Sequence, residues 1–296
     1  MAISAPLIAT SPLPAGLLHR LGKLARTSER VSFVGGSGFQ LAGITDLPEG
    51  CPKATVLFTH CFTCSKDLKA IVRISQSLAE HGFLVLRYDL TGLGGSQGDF
   101  SQTNFTSNRA DLRAASVFLS ENFEPPSFLM GHSFGGACSL SMAEEIESVR
   151  GIISLASPSD TTHLADLLLR LDPRIASEGI GQVNIGGRTY QIAQQMLADF
   201  RSYDLPARLR KLGKPTLLFH SPEDETVRFE HVLRLYSLLT QRATDDDTPP
   251  APASIICLPQ ADHLLVNNPA DIRLVTNMAG AWFERILAAD NSKGVG

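Results

Sequence analysis

Short apolar runs of strand length recur along the chain at Ala54 to Thr59, Phe83 to Tyr88, Ser127 to Met130, Gly151 to Leu155, Pro215 to Phe219 and Ser254 to Cys257. Helix-length amphipathic stretches fill most of the gaps between them, which is a βαβα pattern. Nearly continuous apolar strands joined by crossover helices predict a mostly parallel central sheet buried on both faces and flanked by helices, an α/β fold. In such a sheet the chemistry belongs at the carboxyl ends of the strands. Ahead of the first run, Val31 to Val34 and Gln40 to Ile44 flank Gly35-Gly36-Ser37-Gly38 and predict a hairpin. Between Pro158 and Leu212 the alternation breaks into a helical piece (Leu164 to Leu171), a small hairpin (Val183 to Ile192, around Gly186-Gly187) and a second helix (Ala193 to Phe200). This reads as a small cap insertion, about residues 158–212, set over the pocket edge of one domain spanning 31–290.

Composition narrows the class. Of 296 residues, 43% are hydrophobic and 19% charged, enough to bury a sizeable core and against disorder. Lys and Arg number 26 against 30 Asp and Glu, a net charge of −4, so no basic surface is expected for nucleic acid. No uncharged apolar run approaches the roughly 18 to 20 residues of a membrane span. Five cysteines (Cys51, Cys61, Cys64, Cys138, Cys257) are an odd and sparse set, which favours a reducing cytosol and a cytoplasmic location. Residues 1–30 form an N-terminal extension. Its first 28 residues lack Asp and Glu but carry His19, Arg20, Lys23 and Arg26, a composition shared with transit peptides. The alternative is a Pro-rich tail and a short amphipathic helix bearing Leu17, Leu18, Leu21 and Leu24. Ala243 to Pro252, rich in Asp, Thr and Pro, reads as a solvated loop.

The run Ser127 to Met130 leads into Gly131-His132-Ser133-Phe134-Gly135-Gly136 and then a helical stretch, Ala137 to Ile146. This is G-x-S-x-G between a strand and a helix, the context in which a sharp turn exposes a serine hydroxyl at the sheet top. Ser133 is therefore the candidate nucleophile; the alternative is a serine that caps the helix. A second formal match at Ser96 (Gly94-Gly95-Ser96-Gln97-Gly98) has no helix behind it and reads as a flexible glycine-rich loop. A serine hydroxyl needs a base to take its proton and an acid to hold that base. His263 follows the last strand and precedes the final helix, where a base loop belongs; His60, His132 and His220 also end strands or sit in the turn and could reach a pocket. For the acid, Asp224 in Glu223-Asp224-Glu225 best fits its turn, with Asp160 as the rival. Asp262 reads as a turn residue.

Ser133, Asp224 and His263, in that order along a βαβα chain, resemble the α/β-hydrolase superfamily. More narrowly, His60-Cys61-Phe62-Thr63-Cys64-Ser65-Lys66-Asp67 and Asp89-Leu90-Thr91-Gly92-Leu93-Gly94-Gly95-Ser96 resemble the hydrolase half of proteins that fuse such a domain to an OsmC-like peroxidase domain. A free-standing relative of that half is the expectation. In many microbial esterases of the superfamily the loop after the first central strand reads His-Gly-Phe-Thr-Gly, and both glycines are cysteines here. By position, the resemblance assigns the oxyanion-hole N–H groups to Phe62 and Phe134. It implies a serine carboxylesterase with no metal or organic cofactor and a small-molecule ester as partner, and the short cap points to short- to medium-chain acyl esters. Thioester hydrolysis or acyl transfer by the same triad is the nearest alternative. Cys61 and Cys64 leave further readings open: two buried thiols packed under the loop, a redox pair whose disulfide distorts the loop, a metal site with His60, or a redox-responsive binding module.

Overall fold

The computed structural model describes residues 27–241 and 251–293. The expected helix around Leu17 to Leu24 and most of the loop Ala243 to Pro252 lie outside those residues. In chain order the strands are β1 (Thr27–Val34), β2 (Gln40–Leu47), β3 (Ala54–Thr59), β4 (Phe83–Tyr88), β5 (Phe128–His132), β6 (Gly151–Leu155), β7 (Ile180–Ile185), β8 (Arg188–Ala193), β9 (Thr216–His220) and β10 (Ala253–Cys257). The helices are α1 (Lys69–Glu80), α2 (Phe105–Asn122), α3 (Phe134–Met142), α4 (Thr162–Leu171), α5 (Arg174–Ser177), α6 (Gln194–Ser202), α7 (Leu205–Lys211), α8 (Glu230–Thr240) and α9 (Pro269–Lys293).

Eight strands make one sheet in the order β1-β2-β4-β3-β5-β6-β9-β10, antiparallel from β1 to β4 and parallel from β4 to β10. The mostly parallel, helix-flanked sheet read from the apolar runs is the fold observed. β3, β4, β5, β6 and β9 are buried at every position, because helices cover both faces. Alternate residues serve opposite cores. Leu57, Leu86, Leu129 and Leu218 pack with α2, α3 and α8; Val56, Phe58, Val85 and Met130 pack with Ile71 and Ile74 of α1 and with Val275 and Phe283 of α9. The hairpin starts at Thr27, inside the stretch expected as extension. Polar residues alternating between half-buried and exposed (Thr27, Ser28, Glu29, Arg30) pair along β2 without forming an apolar run.

Between β6 and β9 the chain leaves the sheet to form α4, α5, the β7–β8 hairpin, α6 and α7. The hairpin turns at Gly186-Gly187, both at positive φ, as the two-residue turn requires. This excursion is tied to the body by hydrogen bonds. Tyr190 Oη donates to Thr63 O (2.9 Å), Gln195 Nε2 donates to Ser101 O and Thr103 O (3.2 and 3.0 Å), and Asp199 accepts from the Thr106 N–H (3.1 Å).

Arg87, on β4, is 3% exposed and donates through Nε to Asp46 on β2 (2.9 Å) and through a terminal nitrogen to Lys66 O (2.8 Å). Asp46 is fully buried and also accepts from Ser28 and Ser75. Removing one partner of a buried pair strands the other charge, which costs more than the pair is worth. Arg87→Met is expected to destabilise the fold by about 3–5 kcal/mol in urea unfolding; a change under about 1 kcal/mol would contradict this account of the sheet's antiparallel edge.

Candidate active site

β5 runs in the middle of the sheet straight into α3, and the residue between them is Ser133 at φ 53°, ψ −121°. A non-glycine residue at positive φ is strained, and it is held by its surroundings. Ser133 N–H donates to Leu155 O on β6 (2.7 Å), and Gly136 N–H donates back to Ser133 O (2.9 Å). The helix then lies flush on the neighbouring strand: a Cβ on Gly135 would fall 2.3 Å from Thr59 O and 2.4 Å from His60 O. Only glycine permits that approach. The strand, turn and helix context read from the sequence is thus present, with the serine 8% exposed at the sheet top.

His263 and Asp224 meet on loops following β10 and β9. His263 Nδ1 lies 2.7 Å from Asp224 Oδ2, while Asp224 Oδ1 accepts the N–H groups of Thr226 and Val227 (both 2.9 Å). A carboxylate can only accept, so Nδ1 carries the proton and Nε2 is left with its lone pair. Burial works to raise the Asp224 carboxyl, but the His263 bond and charge and the two backbone donors outweigh it and hold the group below the usual carboxylate range. The loop that carries His263 is braced from the Asp224 turn by Gln260 N–H donating to Glu223 Oε2 (2.9 Å). Asp262 accepts from Val266 and Asn267 N–H as a turn residue (3.0 and 2.8 Å). Asp160 is placed elsewhere: it pairs with Arg234 (2.5 Å) and caps α4 through the His163 N–H (2.9 Å).

Cys61 and Cys64 form a disulfide across the loop after β3, which corrects the reading of two separate buried thiols. Thr63, between them, sits at φ 60°, and Cys64 N–H closes the turn on Cys61 O (3.2 Å). Sequence spacing allowed the bond and could not decide it, because bridging depends on the Cα separation, here 5.3 Å. The rings of Phe62 and Phe134 lie edge to face at 5.6 Å and both pack on Phe200, so their two backbones are fixed beside each other. The turn bonds of these segments use the N–H groups of Cys64, Gly136 and Ala137, and leave those of Phe62 and Phe134 outside them.

His60 does not ligate. It donates from Nδ1 to Cys61 O (2.7 Å) and accepts Leu90 N–H at Nε2 (3.1 Å), with burial pulling its pKa down. No group of three or more His, Cys, Asp or Glu among the described residues is placed to hold a metal ion. Ser96 is a structural latch, donating to Asp89 O (2.6 Å) and accepting Ala42 N–H (2.9 Å). Asp89, fully buried, gathers Lys66 N–H (2.6 Å), Lys66 Nζ (2.8 Å) and Gly95 N–H (2.8 Å), so the two quoted motifs are one hydrogen-bonded unit. Sequence reading missed Tyr190 and the Lys66–Asp89 pair; both act across long separations that no local pattern signals.

Ser133, His263, Phe62, Phe134 and the disulfide line one cavity of about 670 Å³, whose far wall is Leu164, Leu167, Leu171 and Ile185 of the excursion. A depression lined by Asp160, Asp166, Arg201 and Arg234 is slightly larger, but its charges are paired with one another and Ser133 is not part of it.

A family model described as serine aminopeptidase, S33, matches residues 50–178. The esterase domain of a Rhodothermus marinus protein is 38% identical over 88% of this chain and 98% of its own, with a TM-score of 0.67. The chain belongs to the α/β-hydrolase superfamily. Est1E from Butyrivibrio proteoclasticus, solved with ferulic acid bound, shares the α/β-hydrolase fold at 21% identity (87% of this chain, all of that one, TM-score 0.71). An uncharacterized Rickettsia prowazekii protein, RP471, is 27% identical over 118 residues; the match spans 39% of this chain and about half, 49%, of that relative.

In this α/β-hydrolase the lowered Asp224 pKa has a defined sign. Ionised Asp224 contributes stability above its unfolded value, about 3.9, and that contribution is lost as pH falls through the lower folded value. Thermal melts of the wild type beside Asp224→Asn are expected to differ most near neutrality and to converge below about pH 4. A gap that stays constant down to acid would show that Asp224 is not held ionised by His263.

Proposed function

We propose that the chain is a serine carboxylesterase acting on short- to medium-chain acyl esters. The observation that carries the reading is the 2.7 Å His263–Asp224 bond set in the same pocket wall as the strained Ser133. In this reading Ser133 Oγ attacks the ester carbonyl carbon while His263 Nε2 takes its proton, and Asp224 stays ionised and orients the imidazolium. The negative oxygen that develops is met by the N–H groups of Phe62 and Phe134 at the amino end of α3. Collapse expels the alcohol, which leaves with the proton from His263. Water then attacks the acyl carbon as His263 takes its proton, and collapse of this second intermediate breaks the bond to Ser133 Oγ, which recovers the proton from His263 as the acid leaves.

A cavity of about 670 Å³ with an apolar wall is of the size that takes a small ligand, which supports the short- to medium-chain reading. The excursion between β6 and β9 acts as the cap that supplies this wall, and the disulfide holds the loop bearing Phe62. The same reading places the protein in the cytoplasm. Disulfides there are mostly transient or redox-responsive, so the Cys61–Cys64 bond is one that a cytosolic reductant would meet. Among the described residues no helix is long and apolar enough to cross a membrane.

Hydrolysis of p-nitrophenyl esters from acetate to palmitate, wild type beside Ser133→Ala, tests the proposal. Turnover of the shorter chains, reduced at least about 10³-fold in the variant, is expected. Equal background rates from both proteins would reject the esterase and transfer the same residues to thioester or acyl-transfer chemistry, or leave a redox-responsive binding module.

A further inference from the structure

We infer that His132 and His220 are positioning residues for this chemistry, each latching the loop of one reacting partner to the end of a sheet strand through a single Nε2–H bond. The inference rests on the esterase reading above. His132 is the last residue of β5, directly before Ser133, and its Nε2 lies 2.7 Å from the backbone oxygen of His263. His220 is the last residue of β9, and its Nε2 lies 2.7 Å from the backbone oxygen of Val227, whose own N–H donates to Asp224. A carbonyl oxygen only accepts, so both rings carry their proton on Nε2. One bond therefore clamps the base loop to the nucleophile's strand, and the other clamps the acid's turn to the strand it follows.

The rest of each ring argues that the donor is why a histidine stands there. Both residues are buried, 3% and 1% exposed, and both Nδ1 atoms are without a partner among the described residues. The two rings line one small cavity together with Asp224. A buried nitrogen with no partner costs stability, and a phenyl ring would fill the space without it. What phenylalanine lacks is the Nε2–H. Burial first, and for His132 the nearby His263 next, lower both pKa values, His132 to about 3, which favours neutral rings with the proton on Nε2.

The clamped loop needs holding. Gln260 and Leu265, on either side of His263, sit at φ 64° and 53°, conformations that non-glycine residues leave unless constrained. The His132 and His263 rings are 5.0 Å apart, so a shift of the loop would move the base off the serine beside it.

Steady-state kinetics and melts of His132→Phe, His132→Gln and His220→Phe test the inference. Gln carries an amide donor near the Nε2 position, and Phe carries none. The Phe variants are expected to lose about ten- to hundredfold in kcat with KM within about twofold, and His132→Gln to recover to within about threefold of wild type. Their melting temperatures are expected to stay close to that of the wild type, because loss of the bond to the carbonyl oxygen and removal of the unpaired Nδ1 oppose each other. Packing alone would instead lower stability and activity together, with no rescue by Gln, and would overturn the inference; so would a Phe variant with the wild-type kcat. The low-field proton resonance of the His263 Nδ1–H in its Asp224 bond gives a readout that does not depend on ester turnover. It is expected to be sharp in the wild type and broadened in His132→Phe. A wild type that shows this resonance yet hydrolyses no ester defeats the esterase reading, whereas an unchanged resonance in His132→Phe defeats the latch.

Discussion

The structure turns on one residue held where its backbone would not choose to be. Ser133, at φ 53° between β5 and α3, puts a hydroxyl at the carboxyl end of the central strand and points the amino end of a buried helix at the same place. Strain of this kind costs about 1–3 kcal/mol and persists only when packing over-determines it. Here the packing is glycine against backbone: Gly135 admits the carbonyls of Thr59 and His60 at distances no Cβ would allow, and the Ser133 N–H is spent on β6. The sheet order follows from the same need, since β3, β5 and β6 must lie side by side for the turn to be gripped from both flanks.

Around that point the polar groups are arranged as successive supports. Asp224 is satisfied by three donors and leaves His263 with one free-standing lone pair at Nε2. His60, Lys66 and Asp89 join the loop after β3 to the loop after β4, and the Cys61–Cys64 bond closes the segment that carries Phe62. Tyr190 reaches from the hairpin to Thr63 O, so the wall of the pocket and the loop beneath it are one connected unit. Buried polar networks of this kind add rigidity only when nearly every member is paired. His132 Nδ1 and His220 Nδ1 are among the few buried polar atoms without a partner among the described residues, and they stand next to this network.

Much of this was legible beforehand, for physical reasons. The central strands announce themselves because burial on both faces leaves no polar positions, and G-x-S-x-G in strand, turn, helix context is specific because few other turns need glycine on both sides of a serine. Asp224 was separable from Glu223 and Glu225 by its place in the turn, and the structure leaves the two glutamates exposed. What was not legible depends on distance in space. The Cys61–Cys64 bond, the Lys66–Asp89 pair and the reach of His132 to a carbonyl 131 residues away have no local signature. β1 extends four residues before the apolar pattern at Val31 to Val34 because an edge strand needs hydrogen bonds to its neighbour and not an apolar run.

The central claim is that Ser133 is the nucleophile, and covalent trapping tests it most directly. The protein is incubated with a fluorophosphonate, which transfers its phosphonyl group to an activated serine with loss of fluoride, and is then digested and mapped by mass spectrometry. The account predicts one adduct per chain on the peptide containing Ser133, and none on that peptide when His263 is replaced by alanine. An unmodified Ser133 in the wild type, or modification of another serine such as Ser96 in its place, would contradict it.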